Sequence, residues 1–426
     1  MEWDPNTQYG QGDRIYNGVP QPFYNSLVTN SHMRADNVEI ALYTRDNIWT
    51  FITFPFDVKM SDIEALCDGS TSWAIRRYDG VKRAAGATAE TWVRVGDDET
   101  LKAGEGYIIQ TSRYVGNSSQ AWSGLKFTAV NNGNKNNIFL SGDARVELAE
   151  NVSEFTHNSS WNLIGNPYGS YYDTRFMDFT APLTVWNMNN KTYTAVSPVD
   201  DSYILCPGES FFVQRPVDKA SIVFNKDGRQ VNRVARTIEN PETRSASDRL
   251  KFNFTLTDGT HTDMTRVVLN EEASLAYDMT MDAGKFRSSD NTVPQLFTTA
   301  AGVEYAINER PFSDGRVLLG IHVAASGVHT LSLMEEVGDY TALLEDTFTG
   351  QQIALSKEKG YSFHSETGDF SDRFVVRFVK PTSSVEEIKS GEHATDEIYS
   401  IDGIKVDNPV KGGVYIINGK KVIFNN

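Results

Sequence analysis

Short runs in which apolar and polar residues alternate dominate this chain, and Gly, Pro, Asn or Asp breaks each run after a few positions. Lys251–Leu256 reads Lys-Phe-Asn-Phe-Thr-Leu, which buries one face of a strand and solvates the other. The same rhythm recurs in Trp49–Phe54 (WTFITF), Gly106–Gln110 (GYIIQ), Leu125–Val130 (LKFTAV), Ser210–Gln214 (SFFVQ) and Ser221–Asn225 (SIVFN). These runs are rich in β-branched and aromatic residues, which suit a half-buried pleated surface. Further strands follow in DMTRVVLN, VLLGIHVAA, GVHTLSLM, TALLEDTFTGQQIAL and DRFVVRFV. Helical periodicity is scarce. Its clearest instance is Ser61–Gly69, where Ser61 would be the N-cap and Glu64 would complete a capping box. Tyr43–Trp49 (YTRDNIW) reads as a hairpin turn.

Two stretches share one outline. Trp49-Thr-Phe-Ile-Thr-Phe-Pro-Phe matches Trp161-Asn-Leu-Ile-Gly-Asn-Pro-Tyr, with Pro55 and Pro167 at the same distance from their tryptophans. Ala74–Gly80 then aligns with Thr184–Asn190, Thr91–Val95 with Thr192–Val196, and Leu101–Gln110 with Leu205–Gln214. The order is conserved between the copies and the spacings differ only by loop-sized amounts, so the region is an internal duplication. Each proline ends a ladder because it has no N–H to donate. Each Gly-Glu pair, at Gly104 and Gly208, places a glycine at a sharp turn before a strand.

The fold class is all-β: a multi-domain β-sandwich of jelly-roll or immunoglobulin-like type, with a two-fold repeat in the N-terminal half. Residues 1–37 form an extended N-terminal segment, 38–130 the first repeat and 131–230 the second. A polar, Arg-rich linker (231–249) precedes a β-sandwich (250–380). A second linker (381–397) leads to a short β module (398–426). The pattern leaves open whether the repeats are two domains or two halves of one.

Composition narrows the function. Lys and Arg total 40 against 56 Asp and Glu, a net charge of −16. Such a chain repels phosphate backbones, so nucleic acid is not an expected partner. No apolar run approaches a membrane-spanning length, and the first residues lack the basic and apolar regions of a signal peptide. Cys67 and Cys206 are too few for a disulfide framework and read as two free, buried thiols.

The C-terminal residues Ile398-Tyr-Ser-Ile-Asp-Gly403, Gly412-Gly-Val-Tyr-Ile-Ile417 and Gly419-Lys-Lys-Val422 resemble the C-terminal sorting domain of the type IX (Por) secretion system. The resemblance covers about the last thirty residues. It implies the type IX machinery as a partner and a location that is secreted or on the outer surface of a Gram-negative bacterium. Tyr399, Asp402, Gly403, Gly413, Tyr415, Gly419, Lys420 and Lys421 would carry the sorting motif. The segments WNLIGNPY to SFFVQ and Asp282–Pro311 resemble C-terminal regions of large, uncharacterised surface proteins of the same bacteria. That likeness implies β-architecture, a signal peptide and further modules upstream, and no particular activity.

Catalytic signatures are thin. There is no G-x-S-x-G elbow, H-E-x-x-H motif or Walker loop, and the histidines never take metal-ligand spacings. His322 and His329 read as surface residues flanking a hairpin. Asp278, Asp282 and Asp290 form an acidic cluster that could hold calcium, but lack the D-x-D-x-D-G spacing, so a solvated loop is the preferred reading. Glu105 and Glu209 take the same place in the two repeats, as carboxylates that accept from turn amides. Aromatics with polar neighbours can stack on sugar rings, and Tyr168, Tyr171, Tyr172, Trp186 and Tyr193 are the candidates. Trp49 and Trp161, at matched strand positions, read as core. Tyr171 and Tyr172 follow an Asn-Pro turn in an expected loop, where function concentrates.

The expectation is a non-catalytic secreted or surface protein with no cofactor, which binds a glycan or host protein or displays upstream modules. The alternative is an accessory C-terminal region of a secreted glycan- or protein-degrading enzyme.

Overall fold

The computed structural model describes residues 38–130, 141–188, 190–234, 249–312, 315–335 and 337–380. In the C-terminal module it describes 386–389, 398–401, 405–406, 409–410, 413–417 and 420–425. The N-terminal segment 1–37 and most of the first linker lie outside these residues. Strand accounts for 53% of the structure and helix for 6%.

The duplication is real down to its strand order. The first repeat contains β1 (Glu39–Arg45), β2 (Thr50–Thr53), β3 (Ser70–Tyr78), β4 (Trp92–Arg94), β5 (Gly106–Val115) and β6 (Trp122–Thr128). The second contains β7 (Ala144–Glu147), β8 (Trp161–Gly165), β9 (Leu183–Asn187), β10 (Thr192–Val196), β11 (Ser210–Gln214) and β12 (Ser221–Phe224). One sheet runs β2-β5-β3-β4 and its counterpart β8-β11-β9-β10, while β1 pairs with β6 and β7 with β12. Alternation gives each main sheet two buried faces. One packs inside its own repeat: Ile52, Ile75 and Ile109 in the first, Ile164, Leu183 and Val213 in the second. The other carries Phe51, Tyr78 and Trp92, or Leu163, Trp186, Tyr193 and Phe212, and these two faces close on each other.

The main chains also cross. Thr53 N donates to Gly208 O at 3.0 Å, and Gly165 N donates to Gly104 O at 2.9 Å. Thr53 and Gly165 are equivalent positions, as are Gly104 and Gly208, so the bonds are reciprocal, as across a two-fold axis. Both glycines are left-handed, with φ of 74° and 76°. The repeats are two halves of one packed unit, which answers the question the sequence left open.

Three local expectations are corrected. Ser61–Gly69 is no helix: a 3₁₀ turn at Met60–Asp62 is followed by a short strand, Glu64–Ala65, which pairs with β6. Glu64 binds Lys126 at 2.9 Å instead of closing a capping box. Among the described residues the α-helix is Gly80–Ala84, where Asp79 accepts from Val81 N and Lys82 N. Tyr43–Trp49 is an arch, not a hairpin, since β1 pairs with β6 and β2 with β5. The alignment of Ala74–Gly80 with Thr184–Asn190 is two residues out. Arg76 faces Ile108 as Thr184 faces Phe212, so Tyr78 is the partner of Trp186. A shift of two keeps every side chain on its face, which is why the alternation did not expose it.

The third region is a curled sheet of β13 (Leu250–Thr257), β14 (Thr262–Leu269), β15 (Gln295–Ala300), β16 (Val303–Arg310), β17 (Arg316–Val323), β18 (Gly327–Leu333), β19 (Thr341–Asp346), β20 (Gln351–Leu355), β21 (Tyr361–Ser365) and β22 (Gly368–Val379). Its order is β20-β19-β22-β17-β15-β16-β14-β13-β18-β21. It folds over on itself, so that Phe252 of β13 meets Phe378 of β22 at 4.3 Å between ring centroids. All of these neighbours are antiparallel except β14 and β16, because the excursion 270–294 carries the chain across the sheet before it returns. His329 is 2% exposed and stacks on Phe363, so it belongs to the packing and not to the surface. His322 is partly exposed and pairs with Asp369 at 3.0 Å.

The last sheet runs β23 (Glu386–Lys389), β26 (Lys420–Asn425), β25 (Gly413–Ile417) and β24 (Ile398–Ser400). The second linker therefore contributes a strand, which pairs in parallel with β26. Tyr415, Ile417 and Val422 form a small core, and the Tyr415 hydroxyl accepts from Val410 N at 2.8 Å. Tyr399 lies in β24, Gly413 and Tyr415 in β25, and Lys420 and Lys421 in β26. Asp402, Gly403 and Gly419 lie outside the described residues.

Candidate functional site

Four of the aromatics singled out as sugar platforms, Tyr168, Tyr172, Trp186 and Tyr193, pack against other rings. Tyr172 lies in a short strand, Tyr171–Asp173, is fully buried, and stacks on Tyr168 with centroids 5.6 Å apart. Tyr168 donates to Phe224 O at 2.7 Å from a buried position. The loop expected after the Asn-Pro turn is thus a strand, held by Ile204–Leu205 on one side and Arg229–Gln230 on the other. Tyr171 points to the opposite side of this strand and is half-buried. Trp186 and Tyr193 are cross-strand neighbours 4.8 Å apart and pack on Phe51 of the other repeat. Burial pushes the Tyr193 hydroxyl well above its ordinary range. Tyr172 is fully buried, while Trp186 and Tyr193 are partly buried. Trp161 is buried as expected; Trp49 is partly exposed beneath the guanidinium of Arg76, at 4.7 Å.

The aromatic layer ends where the third region inserts Phe286. This ring contacts Trp161 at 4.7 Å, Phe212 at 4.6 Å and Tyr193 at 5.5 Å. Arg83 of the short helix covers it at 4.6 Å and donates to Asn158 Oδ1. Beside this layer runs a set of ion pairs. Arg249 bridges Asp200 (2.8 Å) and Glu309 (2.7 Å), and Arg266 grips both oxygens of Asp201 at 2.9 Å. Burial alone would raise the Asp200 carboxyl, but Arg249 and Lys251 hold it below its ordinary range.

The acidic cluster is divided among different partners. Asp278 accepts from Thr280. Asp282 is buried, accepts from Asp278 N and Glu309 N, and is pushed up to about 7 by burial. Asp290 binds Thr292 and Lys191 and is lowered to about 2 by those contacts. Among the described residues no group of three or more His, Cys, Asp or Glu could hold a metal ion. Glu209 accepts from Cys206 N at 2.7 Å, the turn amide expected of it, while Glu105 accepts from the Tyr107 hydroxyl at 2.6 Å. Cys206 is buried and its thiol is pushed up by burial; Cys67 is half-buried, and neither is in a disulfide.

An exposed groove of about 120 Å³ is lined by Val152, Ser159, Ser160, Arg215, Val217 and Met279 among others. It lies where loops of the second repeat meet the 275–281 loop of the third region. Val152 is 79% exposed and Val217 is 87% exposed. Arg215, tied to Glu150 at 3.1 Å, crosses its floor, and its backbone N donates to Ser160 O. The groove presents apolar lips and one ion pair, with no nucleophile beside a base. Sequence reasoning missed it because its walls come from three separated loops.

A sequence profile for a domain of unknown function (DUF8693) matches residues 171–378. The match opens inside the second repeat and closes in β22, so it takes in both sides of the Phe286 contact. No curated protein and no solved structure matches the chain.

Proposed function

We propose that this chain is a non-catalytic scaffold of a secreted or outer-surface protein, which holds a docking groove for a protein partner in a fixed position. The observation that carries this reading is the joint at Phe286, where side chains of both repeats and the third region share one aromatic layer. Large buried aromatic contacts of this kind resist relative motion of the parts they join. Trp186 and Tyr193 pack into that layer and Tyr168 and Tyr172 into the core of the second repeat, which favours a protein ligand over a glycan. The tail from Tyr399 to Lys421 supports export through the type IX machinery, and the net charge of −16 suits an exposed acidic surface.

Adhesion of cells displaying the chain to host-cell surfaces tests the reading, with Val217→Asp as the groove variant. Adhesion that the variant loses, with flat signals on a glycan array, is the expected result. Glycan binding that Tyr171→Ala abolishes would return the lectin reading, and adhesion untouched by Val217→Asp would remove the groove. Deleting 398–426 in the native host is expected to trap the protein in the periplasm; normal surface appearance would remove the export claim.

A further inference from the structure

The third region buries an ion pair that neither its packing nor the proposed function requires. Strand β14 turns Asp263, Thr265, Val267 and Leu269 to one side, and Val267 and Leu269 are part of the sandwich core. Asp263 is therefore a carboxylate on a core-facing row. Lys285 enters from the 270–294 excursion, its backbone N held by Glu304 O at 2.8 Å. Its Nζ lies 2.5 Å from Asp263 Oδ2, with the two side chains 1% and 0% exposed. Leu296 N also donates to Oδ2, at 2.8 Å. The second oxygen, Oδ1, is buried with no hydrogen-bond partner.

Burying two charges in this way is costly, and a carboxylate oxygen without a donor adds to the cost. A neutral amide between the same two groups carries neither penalty. We propose that Lys285 and Asp263 condense into an intramolecular isopeptide bond once the sandwich has folded. One proton first passes from the Lys285 ammonium to the Asp263 carboxylate; the neutral nitrogen then attacks Asp263 Cγ, and the Leu296 N–H stabilises the charge that develops on Oδ2. The N–Cγ bond forms and the Cγ–Oδ1 bond breaks. Of the three ammonium protons one stays on the amide nitrogen, and two leave with Oδ1 as water. The ammonium and carboxylate thus yield an amide and one water, with no oxidant, activating group or added proton. Two groups held in fixed contact react as if at effective concentrations of about 10⁵–10⁸ M, and the water released passes to bulk solvent.

The bond would tie β14 to the excursion before β15 within one sandwich, and would resist unfolding of that loop under load. Intact-mass measurement of the denatured full chain tests it. The expected mass is one water below the sequence mass, and a tryptic digest is expected to contain Phe252–Arg266 joined to Val267–Arg287 through Asp263 and Lys285. Lys285→Arg and Asp263→Ala are each expected to restore the full mass of their sequence. The wild-type chain decides the matter even if a variant fails to fold. An unmodified wild-type mass, or a lost water mapped to another residue pair, overturns the proposal.

Discussion

Thr53 and Gly165 hold the same position in the two repeats and meet each other where the repeats cross. A Cβ added to Gly165 would stand 2.3 Å from Thr53 Cβ, far inside contact distance. The duplication has diverged here so that one copy supplies the side chain and the other supplies the space. Gly165→Ala is expected to destabilise the protein by about 1–3 kcal/mol through overpacking. In the double variant with Thr53→Gly, part of that loss is expected to be recovered, since the clash is then gone. Denaturant midpoints of the four proteins measure the coupling. Additive effects would mean that the two residues do not meet.

Tyr172→Ala and Tyr171→Ala separate core from surface within two adjacent positions. The first removes a fully buried ring from a stack with Tyr168 and a contact with Phe224, and is expected to cost about 3–5 kcal/mol. The second trims a half-buried side chain and is expected to cost about 1 kcal/mol. Equal losses in thermal unfolding would contradict the strand placement.

Removing Arg249 leaves Asp200 and Glu309 buried without their shared cation. Arg249→Ala is expected to cost about 3–5 kcal/mol, the usual penalty for breaking a buried pair from one side. The loss would localise to the joint, read as faster amide hydrogen exchange in 195–201 and 305–310 while β1 and β6 stay protected. Uniform acceleration over the whole chain would argue against a local bridge.

Asp282 supplies the pH dependence. Its folded-state value of about 7 lies above its ordinary value of 3.8, so between these two pH values the folded protein holds a proton that the unfolded chain releases. The contribution of this group to stability is therefore greatest at low pH. It falls as pH rises through that window, by at most about 1.4 kcal/mol per unit. Asp282→Asn cannot titrate. Its stability relative to wild type is expected to rise from pH 4 to 7 and then level off, in urea titrations at matched ionic strength. A flat difference across the range would place the group at an ordinary value.

Much of the architecture was legible in the residues themselves. The period-two alternation of Lys251–Leu256 and the matched landmarks Trp49/Trp161, Pro55/Pro167 and Gly104/Gly208 specified strands, their order and a duplication. These signals are local, so they survive without knowledge of the partner. The short helix was legible too: Asp79 as cap and Gly86 after the last turn, at φ 82°, bracket Gly80–Ala84. So short a stretch shows little helical periodicity, and only its two ends mark it.

What only the tertiary structure decided is which side of each strand meets water. Alternation says that Phe51, Trp186 and Tyr193 point away from the core of their own repeat, and a pattern read alone equates that with exposure. The second repeat covers Phe51, the first covers Trp186 and Tyr193, and Phe286 from a distant loop seals the layer. A strand carries the same alternating signal whether its outer face meets solvent, a ligand or another sheet. The distinction depends on contacts between residues far apart in the chain, and these also brought Lys285 to Asp263 and the three loops to one groove.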